Sequence, residues 1–270
     1  MNSIIARLLI SLLTVTAFNY AVAASPVPNH ELDGVLRRLA TTATEEQYNQ
    51  IVGGIKASAS LMTDLNGLAA SGELTDINVV LPGMAPKARG VAFGGSVDGT
   101  KIFFTTDFLK ELLKNRIFDV VHADDIYPNN FTFAIGHLAY HLKTSKEMDN
   151  LDADFKRQVG ELSSSPGGHD FTSILQSKMR KRIENEASAF IQAWNDTVEA
   201  ATRSNGDSPL NAQQVSTLMM NLRYRFAFLK ALRLPENSLL LTPAGLVELN
   251  DRNVKAISTA LSTSSIADIQ

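Results

Sequence analysis

Between residues 171 and 201 the apolar side chains Ile183, Ala187, Phe190, Ile191, Trp194 and Val198 recur three or four positions apart, with no proline or glycine among them. That period is helical and draws one apolar stripe along a rod roughly 45 Å long, at about 1.5 Å per residue. A helix of this length holds together in water mainly by having its stripe covered, so the rest of the chain must pack along it. Its centre reads ENEASAF. Glu184 there flanks the stripe within about 70° of its middle, and Glu186 lies nearly as close on the other flank.

The remaining sequence supplies the cover. Leu32, Val35, Leu36 and Leu39 predict a short helix over 29–40. Thr44 with Gln47 makes a capping-box pattern, opening a second helix through Tyr48, Ile51, Ile55, Leu61 and Leu65 that Gly53-Gly54 weakens. From 76 to 106 the character changes. DINVVLP, RGVAFGG and TKIFFTT are β-branched and aromatic runs bounded by turn residues. They predict a small sheet of about three strands, the last two a hairpin turning at GGSVDG. Further helices are expected over 107–114, from Pro128 to about Lys143, over 146–162 and over about 211–232, with one or two more in 243–261. SSSPGG at 163–168 is the sharpest break. The fold class that follows is α+β, mainly helical with a small sheet, as a single domain over residues 25–270.

Composition excludes some functions. Twenty-five basic residues against 28 acidic ones give no pull toward nucleic acid or anionic membrane. Arg7, the apolar run 8–17 and the small-x-small Ala21-Val22-Ala23 predict an export signal over residues 1–24, cleaved near Ala24. The expectation is an exported protein, periplasmic or secreted, with no stable membrane anchor after cleavage. The chain has no cysteine, so disulfides, lipidation and thiolate ligands are excluded.

Two of the five histidines, His137 and His141, lie four apart in NNFTFAIGHLAYHL, within a predicted helix. Positions i and i+4 share a helix face, so both imidazoles can reach one metal ion. They sit roughly 100° round from an apolar face of Phe131, Ile135, Leu138 and Leu142, at the edge of the core where a cleft could reach them. Without cysteine, any zinc site here uses nitrogen and oxygen donors, a set typical of catalytic centres. Iron, nickel and copper accept the same donors.

From 101 to 195 the order is strand, helix, connector, histidine helix and then the ENEASAF helix. This order resembles the zincin-like metallopeptidases of the gluzincin type. In that family the histidine pair is written HExxH, and a glutamate in an ExxADAF stretch of a later helix is the third ligand. The resemblance implies zinc held by His137, His141 and Glu184, with Glu186 as the second choice and Ser188 standing in place of the family's acid. The chain departs from the pattern at Leu138, where the family has its general base. Tyr140 likewise excludes the inverted HxxEH. Leucine accepts no proton, and losing a general base costs about 10²–10⁴-fold in rate. The nearest substitutes in sequence are His122, Asp124 and Asp125 upstream and His169-Asp170 downstream.

Two expectations follow. In one, the chain is an exported zincin-like metal-binding protein, a degenerate or atypical zinc metallopeptidase whose cleft receives a peptide or protein. In the other, it is a metal-free exported helical protein that binds such a partner, with Glu184 and Glu186 solvated near Arg180, Lys181 and Arg182. What separates them is whether the glutamate helix crosses the histidine helix.

Overall fold

A computed structural model describes residues 26–86, 95–113, 129–167, 169–236 and 238–263. The expected export signal, most of RGVAFGG, and His122, Asp124 and Asp125 lie outside the described residues. Described in chain order are α1 (His30–Leu39), α2 (Glu45–Ala57), α3 (Ala59–Ala70), β1 (Asp76–Val80), β2 (Gly95–Asp98), β3 (Lys101–Thr105) and α4 (Thr106–Leu113). There follow α5 (Asn130–Lys143), α6 (Ser145–Ser163), α7 (Thr172–Ser204), α8 (Ala212–Asn221), α9 (Arg225–Leu232) and α10 (Asp251–Ser262). The class is α+β and mainly helical, as the sequence implies. No described helix is long and apolar enough to cross a membrane.

The long apolar stripe does organise the core. α7 lies against α5, α10, α3 and α2, and from Ala187 to Val198 its stripe is buried. Phe133 of α5 meets Phe190 of α7 edge-on at 5.8 Å, and Phe228 of α9 closes the ring cluster at 6.0 Å from Phe190. Trp194 is fully buried and donates its indole N–H to Gly245 O at 2.8 Å. Rings of this kind, removed from water, contribute about 1.5–3 kcal/mol each.

The sheet is mixed. Its order is β1-β3-β2, with β1 parallel and β2 antiparallel to β3. The hairpin is real, but its turn is Gly99-Thr100. GSVD, read above as the turn, is itself the strand β2, because Val97 packs across from Ile102 and fixes the register.

Two predicted helices are each split. The helix from Thr44 breaks at Ser58, which takes an extended conformation (φ −118°, ψ 129°). Its hydroxyl caps Leu61 N–H at 3.1 Å, starting α3 afresh. The helix over 211–232 breaks at Leu222 (ψ 133°), whose side chain is fully buried.

α5 is more central than its pattern suggests. Every residue from Asn130 to Ala139 is buried, since α2, α3, α4, α7 and β2 surround it. The contact with α2 runs backbone to backbone at Gly54, whose carbonyl accepts a hydrogen bond from Thr132 Oγ1 at 2.7 Å. By contrast, α6 buries no residue and α7 buries none before Glu186. Together they project as a two-helix arm beside the exposed end of α5.

Candidate metal centre

The two histidines and one glutamate converge. His137 Nε2 lies 3.0 Å from His141 Nε2, Glu186 Oε1 lies 3.2 Å from His137 Nε2, and Glu186 Oε2 lies 3.1 Å from His141 Nε2. Among the described residues, these three are the group of histidine and acidic side chains close enough to hold a metal ion. The third member is Glu186. Glu184, favoured by the ExxADAF alignment, lies outside the group: the α7 face crossing α5 runs through Glu186 and Phe190, four apart. The two crossing helices thus meet at these three side chains.

The donors fit a metal. Around a tetrahedral zinc with bonds of about 2.0–2.2 Å, neighbouring donors stand about 3.3–3.6 Å apart. The observed edges are within a few tenths of an ångström of that. All three side chains line one cleft of about 590 Å³, so a ligand position remains open toward it, as in catalytic rather than structural sites.

The electrostatics agree with that geometry. Burial pushes Glu186 up, but His137 and His141 beside it outweigh burial and hold its carboxyl at about 2. Burial lowers His137 below the usual histidine value, against the pull of Glu186. At neutral pH the cluster therefore offers a carboxylate and a neutral imidazole, the forms that bind a cation.

Both imidazoles are positioned from behind. The His137 ring packs edge-on to Phe190 at 5.2 Å and over Phe133 at 6.4 Å. His141 Nδ1 lies 3.1 Å from Asn185 Oδ1, while Asn185 Nδ2 donates to Thr144 Oγ1 at 2.9 Å. Sequence reasoning passed over Asn185 and Thr144. The signal for Asn185 was its place beside Glu186, at the turn where α7 enters the core.

Other residues singled out from the sequence fall elsewhere. The Ser188 hydroxyl donates to Glu184 O at 2.9 Å and so turns back on its own helix. Asp170, two residues before α7, accepts from Thr172 N–H at 2.8 Å. Some 14 residues of helix, about 21 Å, separate it from Glu186, so neither Asp170 nor His169 serves as the missing base. Arg182 is held by Asp152 through contacts of 2.7 and 2.8 Å.

Leu138 lines the cleft beside the ligands and lies under β2. A Cβ built on Gly95 would stand 2.8 Å from Leu138 Cδ1, so the leucine wedges the histidine helix α5 against the strand. The cleft runs between β2 on one side and the α6–α7 arm on the other, with Val97, Met148, Ile183 and Leu261 among its apolar lining. Its volume is in the range of sites that enclose a small molecule or a few residues of peptide. No family model matches this chain, and no curated protein or solved structure matches it.

Proposed function

We propose that this chain is an exported, zincin-like zinc protein of the gluzincin type, with the ligands His137, His141 and Glu186, and that it is a degenerate or atypical metallopeptidase. The observation that carries the reading is the convergence of an HxxxH helix and a glutamate from a later helix at the floor of one open cleft. A zinc ion there supplies a Lewis acid able to polarise a carbonyl and acidify water. The chain's own residues do the rest unequally. Glu186 and the imidazoles provide charge and orientation, while Leu138 stands where a proton acceptor belongs.

The cleft suits a peptide. β2 borders it, and that strand pairs with β3 along one side. An extended segment in the cleft would lie beside the ligands, with apolar side chains against Val97, Ile183 and Leu261. The metal-free reading draws on the same triangle, in which an imidazole N–H can meet the Glu186 carboxylate at 3.1–3.2 Å without an ion.

The experiment is Leu138→Glu, assayed with zinc on a mixed library of peptides. The wild type should bind zinc and hydrolyse little. The variant should gain about 10²-fold or more, the scale of a positioned general base. A zinc-loaded variant that hydrolyses nothing above background would remove the peptidase part of the proposal.

A further inference from the structure

Behind the candidate metal centre, α3, α5 and α7 meet around a second group of acids. Asp196 of α7 is fully buried. Its Oδ1 stands 2.7 Å from Ser60 Oγ and accepts from Gln192 Nε2 at 3.1 Å. Its Oδ2 has no hydrogen-bond partner and faces Gly136 of α5. A Cβ at Gly136 would collide with that oxygen, so glycine is what allows the two helices to approach here. Gly136 directly precedes His137.

The donors around Asp196 bear on its state. Ser60 Oγ also lies 2.6 Å from Glu199 Oε2, Ser58 Oγ lies 2.7 Å from the same oxygen, and the two hydroxyls stand 2.9 Å apart. With the Ser60–Asp196 contact, four short contacts thus compete for two hydroxyl protons. A proton on one carboxyl group relieves that shortage. Glu199 is half-buried and also accepts Ser60 N–H at 3.0 Å, which favours its anion. Asp196 has no such donor at Oδ2, and an anionic oxygen there would sit uncompensated in a dry helix contact.

We infer that Asp196 is a carboxylic acid in the folded protein, donating to Ser60 Oγ, and that its proton is a positioning element for the two helices carrying His137, His141 and Glu186. Burial pushes its pKa up to about 7; in the anion, hydrogen bonds donated by Ser60 and Gln192 oppose this, while Asp64 and Glu199 add to it. The charged groups around it are few. Glu199 belongs to α7 itself, Asp64 to α3, and Lys143 of α5 is 3.7 Å from Asp64. Loss of the proton places a charge against Gly136 and loosens the α5–α7 contact. The effect on metal rests on the zinc reading above; the proton itself does not.

The test compares wild type with Asp196→Asn, whose amide mimics the protonated acid. In the metal-free protein, the raised folded pKa contributes stability below about 3.8 that is lost as pH rises through about 7. Asparagine does not titrate, so the melting temperature of the variant relative to wild type should rise between pH 5 and pH 8. Parallel profiles would overturn the inference. Should the variant fail to fold, the wild type's infrared spectrum decides: a carboxylic-acid C=O band at pH 6 that fades by pH 8.5 supports the inference, and no such band overturns it. With zinc, the ratio of variant to wild-type affinity should rise severalfold from pH 6 to pH 8.5. A flat ratio would overturn the positioning role. Absence of zinc binding in both proteins would instead remove the proposed function, leaving the metal-free profile to judge the proton.

Discussion

His141 donates its Nδ1 proton to Asn185 Oδ1 across 3.1 Å, and the direction of that bond follows from its neighbours. Thr144 Oγ1 gives its proton to Tyr140 O at 3.0 Å, so it can only accept from Asn185 Nδ2. The amide oxygen is then left facing the ring. With Nδ1 donating to Asn185, a metal ion in the cluster would meet the lone pair of His141 Nε2. Asn185→Leu should therefore weaken zinc binding by about 10–100-fold, the usual cost of losing an orienting partner. Thr144→Val should act in the same direction but less. Competition with a chromogenic chelator measures both, and affinities equal to wild type would mean that the ring is held by packing alone.

The acid response should carry the mark of Glu186. In the folded protein its pKa of about 2 lies below the ordinary glutamate value of 4.5. A depressed carboxyl contributes stability above the unfolded value that is lost as pH falls through the folded one. Metal-free wild type should accordingly lose stability between about pH 4.5 and pH 2 more steeply than Glu186→Gln. Denaturant melts across that window check this. Equal slopes would show that the carboxylate is not held by the histidines.

Two adjacent glycines should behave oppositely. A Cβ at Gly54 would stand 2.7 Å from Phe131 Cβ and 3.0 Å from Thr132 N, whereas nothing lies within 4 Å of one at Gly53. Gly54→Ala should cost about 1–3 kcal/mol by overpacking the α2–α5 contact. Gly53→Ala should stabilise by about 0.5–1 kcal/mol, because alanine is the better helix former. For a domain of this size each kcal/mol moves the melting temperature by about 2–4 °C. Thermal unfolding of the pair thus tests the placement of α5.

Much of the frame was legible because it is written in local periods. The α7 stripe, the Thr44 capping box, and the β-branched and aromatic runs DINVV and KIFFT each act over a few residues. The histidine pair was legible for the same reason, being one helical turn apart. The glutamate of the cluster was less so: Glu184 and Glu186 flank the stripe almost equally in sequence, and only the crossing of α7 over α5 selects between them. The breaks at Ser58 and Leu222 also depend on distant partners. Ser58 Oγ is held by Glu199, 141 residues away. Asp196 looks in sequence like a solvated acid, and its burial comes from the glycine opposite it on another helix.

The most direct test of the account is the metal content of purified protein after dialysis, for wild type, His137→Ala, Glu186→Gln and Glu184→Gln. The expected result is about one zinc per chain in wild type and Glu184→Gln, with His137→Ala and Glu186→Gln depleted. Zinc retained by Glu186→Gln but lost from Glu184→Gln would contradict the ligand set. No zinc in any of the four, with melting temperatures unmoved by added zinc, would contradict the metal centre altogether.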